Sequence, residues 1–167
     1  MVLKIRFWII VGLSRKLESV ERELKVILAQ GVFDIVHVGH LEYLRKAKLA
    51  GDLLFVGIEN DFCVRSNKGQ GRPFNSLENR LEFLSQLQFV DFTFGFEDAP
   101  LYFDPEGVEM YIRRYKELRP NVVAITIGDP NTDLKLYQAE QAGVGFIKIG
   151  NLKKDSTTRL LQAIGYE

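Results

Sequence analysis

His37 and His40 are the only histidines in the 167-residue chain, and they stand three positions apart beside Gly31 and Gly39 in "GVFDIVHVGHLEYL", residues 31–44. A strand ending in "QGVFD", a loop carrying "HVGH" and a helix starting near Gly39 or His40 would bring both imidazoles to a helix amino end. Unpaired backbone N–H groups and the positive end of the helix dipole favour phosphate there. Glycine lets the backbone approach such a ligand closely. Two other uses of the pair compete. Zinc would need further ligands, yet there is no HExxH pattern, no third histidine, and the single cysteine, Cys63, is distant in sequence. Histidines that cap a turn are the plainer alternative, and spacing alone leaves them open.

A second stretch with chemical potential is "NKGQGRP", residues 67–73, which sets Lys68 and Arg72 among glycines. By composition it reads as a solvated loop; placed after a strand, it could hold phosphate with point charges. Cys63, in the apolar context "DFCV", has no second cysteine to pair with and reads as an inert, partly buried thiol.

These residues need a scaffold, and short apolar runs alternating with longer amphipathic ones supply its outline. The strand candidates are residues 25–31, 52–58, 90–96, 121–127 and 145–149. Most are continuous apolar runs, as strands covered on both faces should be. Between them, Leu41, Leu44 and Ala47 share a helical face, with Gly51 placed to end that helix. Asn75 is a candidate cap with Glu78 three residues on, ahead of the stripe Leu77, Leu81, Leu84 and Leu87. Asp104 and Pro105 open a helix whose face carries Val108, Ile112 and Tyr115. "TDLKLYQAEQAG" and "DSTTRLLQAIG" complete about five helices. Tyr43 and Phe83 are expected in the core. The fold class is therefore α/β, a Rossmann-like three-layer arrangement around a five-stranded parallel sheet.

Lys and Arg number 22 against 22 Asp and Glu, so no global field recruits nucleic acid or an anionic membrane. "KIRFWIIVGLS" near the amino terminus has basic residues before an apolar stretch. It lacks a small-residue cleavage site and is far shorter than the roughly 20 apolar residues of a membrane span. A cytoplasmic protein is expected. Residues 1–24 form an extension of unassigned role, helical, strand-like or a docking segment, and 25–167 form one domain.

The segment "GVFDIVHVGHLEYLRKAKLAGDLLFVGI" resembles the HxGH nucleotidyltransferase superfamily, the cytidylyltransferase-like group. The likeness continues through "VRSNKGQGRPFNSLENRLEFLSQLQFVD" and ends at "DSTTRLLQAI". Within the group, "KGQGRP" followed by "ENR" is most similar to the adenylyltransferase domain of bifunctional ADP-heptose synthase. Glycerol-3-phosphate and ethanolamine-phosphate cytidylyltransferases follow closely. The resemblance implies a nucleotidyltransferase domain over residues 25–167 and transfer of a nucleoside monophosphate from ATP, or CTP, to a phosphorylated sugar or polyol, with Mg²⁺ on the triphosphate and pyrophosphate leaving. Other readings are flavin mononucleotide or phosphopantetheine adenylyltransferase, and a regulatory module that binds nucleotide without turnover. Relatives imply a homodimer by analogy only.

Roles follow residue by residue from the same resemblance. His37 and His40 would stabilise charge on the α-phosphoryl group and leaving pyrophosphate, with Lys68 beside them. Gly31, Val32, Phe33 and Gly39 would lend backbone to the phosphates. Gly128 and Asp129 would lie near base and ribose, and Ser156, Thr157 and Thr158 would bind the outer phosphates. Among the substrate-binding candidates, Asp34 would be structural or face the acceptor, Arg72 would hold phosphate as Lys68 does, and Arg80 would face acceptor or phosphate. No metal ligand is assigned among protein residues. Two segments depart from the family pattern: "TIGDPNTD" lacks the lysine and aromatic residue common in relatives, and "NLKKDS" lacks an arginine, for which Lys153 or Lys154 is a substitute candidate.

Overall fold

Residues 23–98 and 100–150 are described by the computed structural model. Its apolar runs become five parallel strands: β1 (Val26–Gly31), β2 (Leu53–Ile58), β3 (Phe92–Gly95), β4 (Val122–Thr126) and β5 (Gly145–Ile149). Five helices connect them: α1 (Val38–Lys48), α2 (Asp61–Lys68), α3 (Leu77–Ser85), α4 (Pro105–Leu118) and α5 (Thr132–Gln141). The strand order is β3-β2-β1-β4-β5. The chain winds outward from β1 through β2 to β3, then crosses to β4 on the other side of β1. Strand order reverses there, and the carboxyl ends of β1 and β4 flank the crevice where open α/β sheets bind ligands.

Alternation along the strands explains the three layers. Ile27 and Ala29 pack with Tyr43, Leu44 and Ala47 of α1 and Leu84 of α3. Leu28, between them in sequence, packs with Tyr115 of α4 and Ala139 of α5 on the opposite face. The amino end of β1 is tied by side chains, its Lys25 N–H donating to Asp52 and its Val26 N–H to Asn121. Tyr43 is in the core as expected, its hydroxyl donating to the Ala124 carbonyl at 2.9 Å.

Several local expectations change. Helix α2 is not among the expected helices, and its last two residues, Asn67 and Lys68, stand in the stretch that reads as loop; Asn60 caps it by accepting from the Cys63 N–H. Ser76, not Asn75, caps α3, because Asn75 is engaged with Asp34. α1 ends at Lys48 with Leu49 in right-handed helical conformation, so Gly51 does not terminate it. A side chain at Gly51 would instead collide with Ile27 and the Lys25 carbonyl, so the glycine serves close approach. Phe83 is 51% exposed rather than buried, since α3 turns Leu84 inward beside it. Asp104 and Pro105 do open α4, which ends without glycine at Arg119 in the left-handed region, φ 46°. The extension over residues 1–24, except for its last two residues, and the helix expected at Ser156, Thr157 and Thr158 lie outside the described residues, as do Lys153 and Lys154.

Candidate functional site

The loop after β1 turns sharply at Phe33, whose φ of 49° is unusual for a bulky residue. It delivers His37 to the amino end of α1 as the helix cap. His37 Nδ1 accepts from the Gly39 N–H at 3.1 Å. The neutral ring therefore carries its proton on Nε2, which is a donor. His40, one turn on, stacks against His37 with ring centroids 3.9 Å apart and planes 28° apart. Phe33 meets His40 edge-on at 5.3 Å. Burial first, then the neighbouring His37 and Lys68 charges, bring the His40 pKa down to about 4 against a smaller opposing pull from the Ile35 backbone. Its Nδ1 is buried without a hydrogen-bond partner. The capping reading holds for His37, which builds the helix end, and the stacked His40 ring stands at the same end. The first turn of α1 holds no acidic residue.

A cavity of about 870 Å³ opens over the carboxyl ends of β1 and β4. That is large enough for a nucleotide and a second small molecule. Gly31, Val32, Phe33 and Gly39 line it with both histidines, joined by Lys68 from the end of α2 and Arg72 from the following loop. Lys68 keeps contact with solvent, yet desolvation and then the Arg72 charge pull its pKa below the ordinary lysine value, against Asp34 and Asp129. Across the crevice, Gly128 has φ +87°, and Asp129 accepts from the Asn131 N–H at 2.7 Å and pairs with Lys135 at 2.6 Å.

Asp34, expected to be structural or to face the acceptor, and Arg80, expected to face acceptor or phosphate, are both tied into the protein's own hydrogen bonds. Asp34 is buried and accepts from the Phe74 and Asn75 N–H groups at 2.9 Å, with Arg72 Nε 3.2 Å away. It lines the cavity, but its carboxylate clamps the loop that carries Arg72. Arg80 is 2% exposed and does not line the cavity. Its guanidinium donates to the carbonyls of Asn75, Val32 and Glu59 and to Asp61. It ties α3 to the loop after β1 and to the end of β2.

Sequence reasoning missed a polar wall beside these groups. Gln30 Nε2 donates to the buried Tyr115 hydroxyl at 2.6 Å. Glu59, 3% exposed, takes both Arg114 nitrogens at 2.9 and 3.1 Å and the Tyr111 hydroxyl at 2.8 Å. Arg114 also lies 3.8 Å over the Phe96 ring. Each partner comes from a distant element, so only polar residues at strand ends, in "AQG" and "GIEN", could have hinted at it. Cys63 belongs to this cluster as an inert thiol: burial, then the Glu59 charge, pushes its pKa up to about 12.

Among the described residues no three His, Cys, Asp or Glu side chains gather to hold a metal ion. The cavity donors, two imidazoles with Lys68 and Arg72, suit anionic oxygens, so a divalent cation fits here as the partner of a polyphosphate. No helix among the described residues is long and apolar enough to cross a membrane.

The family model described as cytidylyltransferase-like matches residues 28–151. The bifunctional protein HldE of Campylobacter fetus subsp. fetus is 42% identical over 98 residues, 54% of this chain and 21% of that protein. Its namesake from Helicobacter hepaticus is 43% identical over 81 residues, 48% of this chain and 17% of that protein. The chain thus spans about a fifth of the length of these curated relatives. Among solved structures, a lipopolysaccharide core biosynthesis protein from Thermoplasma volcanium is similar with a TM-score of 0.60 at 25% identity, over 80% of this chain and all of that one. A pantoate-beta-alanine ligase from Francisella tularensis has a TM-score of 0.58 at 16% identity, over 82% of this chain and 63% of that one, a likeness of fold.

Proposed function

The chain belongs to the cytidylyltransferase-like family, and from that premise we propose that it is a nucleotidyltransferase that moves AMP from ATP to a phosphorylated sugar or polyol. A phosphate oxygen of the acceptor attacks the α-phosphorus in line, a new phosphoanhydride forms, and the bond to the β-phosphate breaks as pyrophosphate takes its electron pair. No covalent enzyme intermediate is required, so the protein supplies position and charge. His37 Nε2–H donates to a phosphoryl oxygen, and neutral His40 beside it adds a second imidazole that gains a proton more readily once an anion is bound. Lys68 and Arg72 hold phosphates, and the amino end of α1 faces the same charge. Asp34 and Arg80 act as positioning residues for the loops on which these groups stand. Magnesium carried on the triphosphate would neutralise part of its charge. Such a reaction belongs in the cytoplasm, where Mg·ATP is abundant, and homodimerisation is part of the same reading.

The observation that carries this reading is the convergence of both histidines, the α1 amino end, Lys68 and Arg72 on one cavity at the sheet's switch point. The "KGQGRP" and "ENR" stretches support ATP over CTP through their likeness to the adenylyltransferase domain of ADP-heptose synthase. The test is pyrophosphate release from ATP or CTP with Mg²⁺ and a panel of acceptors: aldose 1-phosphates, glycerol 3-phosphate, ethanolamine phosphate and flavin mononucleotide. ATP with an aldose 1-phosphate should give the strongest signal. CTP with glycerol phosphate would overturn the substrate assignment, and flavin mononucleotide as sole acceptor would move the protein to cofactor synthesis.

A further inference from the structure

Helix α5 begins at the rim of the cavity, and Asn131, Lys135 and Gln138, four and three residues apart, turn one side of it toward the same space. Its cap residue Asn131 makes no side-chain hydrogen bond to the helix amino end, and the Asn131 Oδ1 is buried without a partner. Lys135 stands on this face with its ammonium 2.6 Å from Asp129, in a pair about three-quarters shielded from solvent on each side. Desolvation first, then the Arg72 charge and, least, the Lys135 charge lower the Lys68 pKa, against Asp34 and Asp129. The three cations therefore sense one another across a single volume. Like charges held in mutual repulsion favour any anion that enters between them.

The remaining carboxylates fit this arrangement. Asp34 lies against Arg72 and Asp129 against Lys135, each a carboxylate occupying the place beside a cation that a phosphate oxygen could take. Glu59 is wholly engaged by Arg114 and Tyr111 and does not compete.

We propose that Lys135 is a third phosphate-binding cation, delivered from α5 opposite the histidine-bearing end of α1, and that Asp129 holds its ammonium in place until the polyphosphate arrives. Helix α5 thereby supplies the far side of the anion site in a segment where "TIGDP" itself carries no cation. This inference rests on the triphosphate-binding reading above and adds a residue to it.

The experiment measures dissociation constants of Mg·ATP and of inorganic tripolyphosphate by calorimetry for wild type, Lys135→Met, Lys135→Arg and the double variant Lys135→Met/Asp129→Asn. The double variant keeps the net charge of the site, because it removes one cation and one anion. The deciding readout is tripolyphosphate, which has no base or ribose for Asp129 to meet: a lysine that only neutralises Asp129 predicts wild-type tripolyphosphate affinity for the double variant, and a lysine that contacts phosphate predicts binding about 10-fold weaker or more. Lys135→Arg should stay within about threefold of wild type, since arginine presents phosphate donors from the same position. Thermal unfolding without ligand should leave all variants close to wild type, as befits a partly exposed pair. Wild-type affinity in the double variant overturns the assignment of Lys135 and leaves the catalytic reading standing. Absence of triphosphate binding in the wild type overturns both.

Discussion

Replacing Arg80 by methionine should destabilise the empty protein by about 3–5 kcal/mol. The figure follows from the four acceptors that the guanidinium serves. Nε reaches the Asn75 carbonyl at 3.0 Å, and Nη1 reaches the carbonyls of Val32 at 2.7 Å and Glu59 at 2.9 Å. Nη2 reaches Asp61 at 2.5 Å. Each buried acceptor left unpaired costs roughly 1–3 kcal/mol. The sum is moderated because Asp61 is 29% exposed and can turn to water. Methionine fills much of the volume but donates nothing. Lysine restores charge without the planar fork, so Arg80→Lys should recover less than half of the loss. Urea unfolding monitored by circular dichroism, with no nucleotide present, reads the difference through the midpoint at constant slope. An Arg80→Met protein that unfolds within about 0.5 kcal/mol of wild type, while losing affinity for triphosphate or acceptor, would refute the structural role and return Arg80 to the substrate.

His37→Ala and His40→Ala should each lower kcat by about 100-fold or more while changing triphosphate affinity less, because their hydrogen bonds strengthen as charge develops; steady-state kinetics with the best acceptor checks this, and near-normal turnover sinks it. The depressed pKa of His40 makes the unfolded chain bind the extra proton between its ordinary value and about 4, so stability falls with pH through that interval. The change should total about 3 kcal/mol and be absent above it. Urea midpoints at several pH values, compared between wild type and His40→Asn, isolate the effect. Gly107→Ala should lose about 1–3 kcal/mol despite alanine's better helix propensity, because the added carbon would lie 1.9 Å from the Leu101 carbonyl oxygen, a backbone atom; an unchanged melting temperature would show that the loop before α4 yields freely.

Strands were legible because burial on both faces writes itself as continuous apolar runs, and β5 matches its expected bounds of 145–149. α4 was legible from Asp104, Pro105 and its spaced apolar residues. α2 was not, since eight residues with an asparagine cap immediately after a strand look like loop. Two cap-forming residues stood side by side before α3, and the choice between Asn75 and Ser76 was made by Asp34, about forty positions away. The same limit hid the site's polar wall. Gln30 finds Tyr115 85 residues on and Glu59 finds Arg114 55 residues on, pairings with no local periodicity. The histidines stood out because nothing else in the chain could do their chemistry, but the hydrogen bond that sets the tautomer of His37 needed the geometry of the helix end.

The stacked imidazoles give the molecule its own indicator. With only two histidines in the chain, the histidine carbon-bound ring protons seen in a proton spectrum after amide exchange into D2O come from these two side chains without isotopic labelling. Rings 3.9 Å apart, with Phe33 edge-on to one of them, shift each other's resonances through ring currents, so any separation of the pair moves both signals together. Occupancy and geometry of the site can therefore be followed in one spectrum of the unmodified protein.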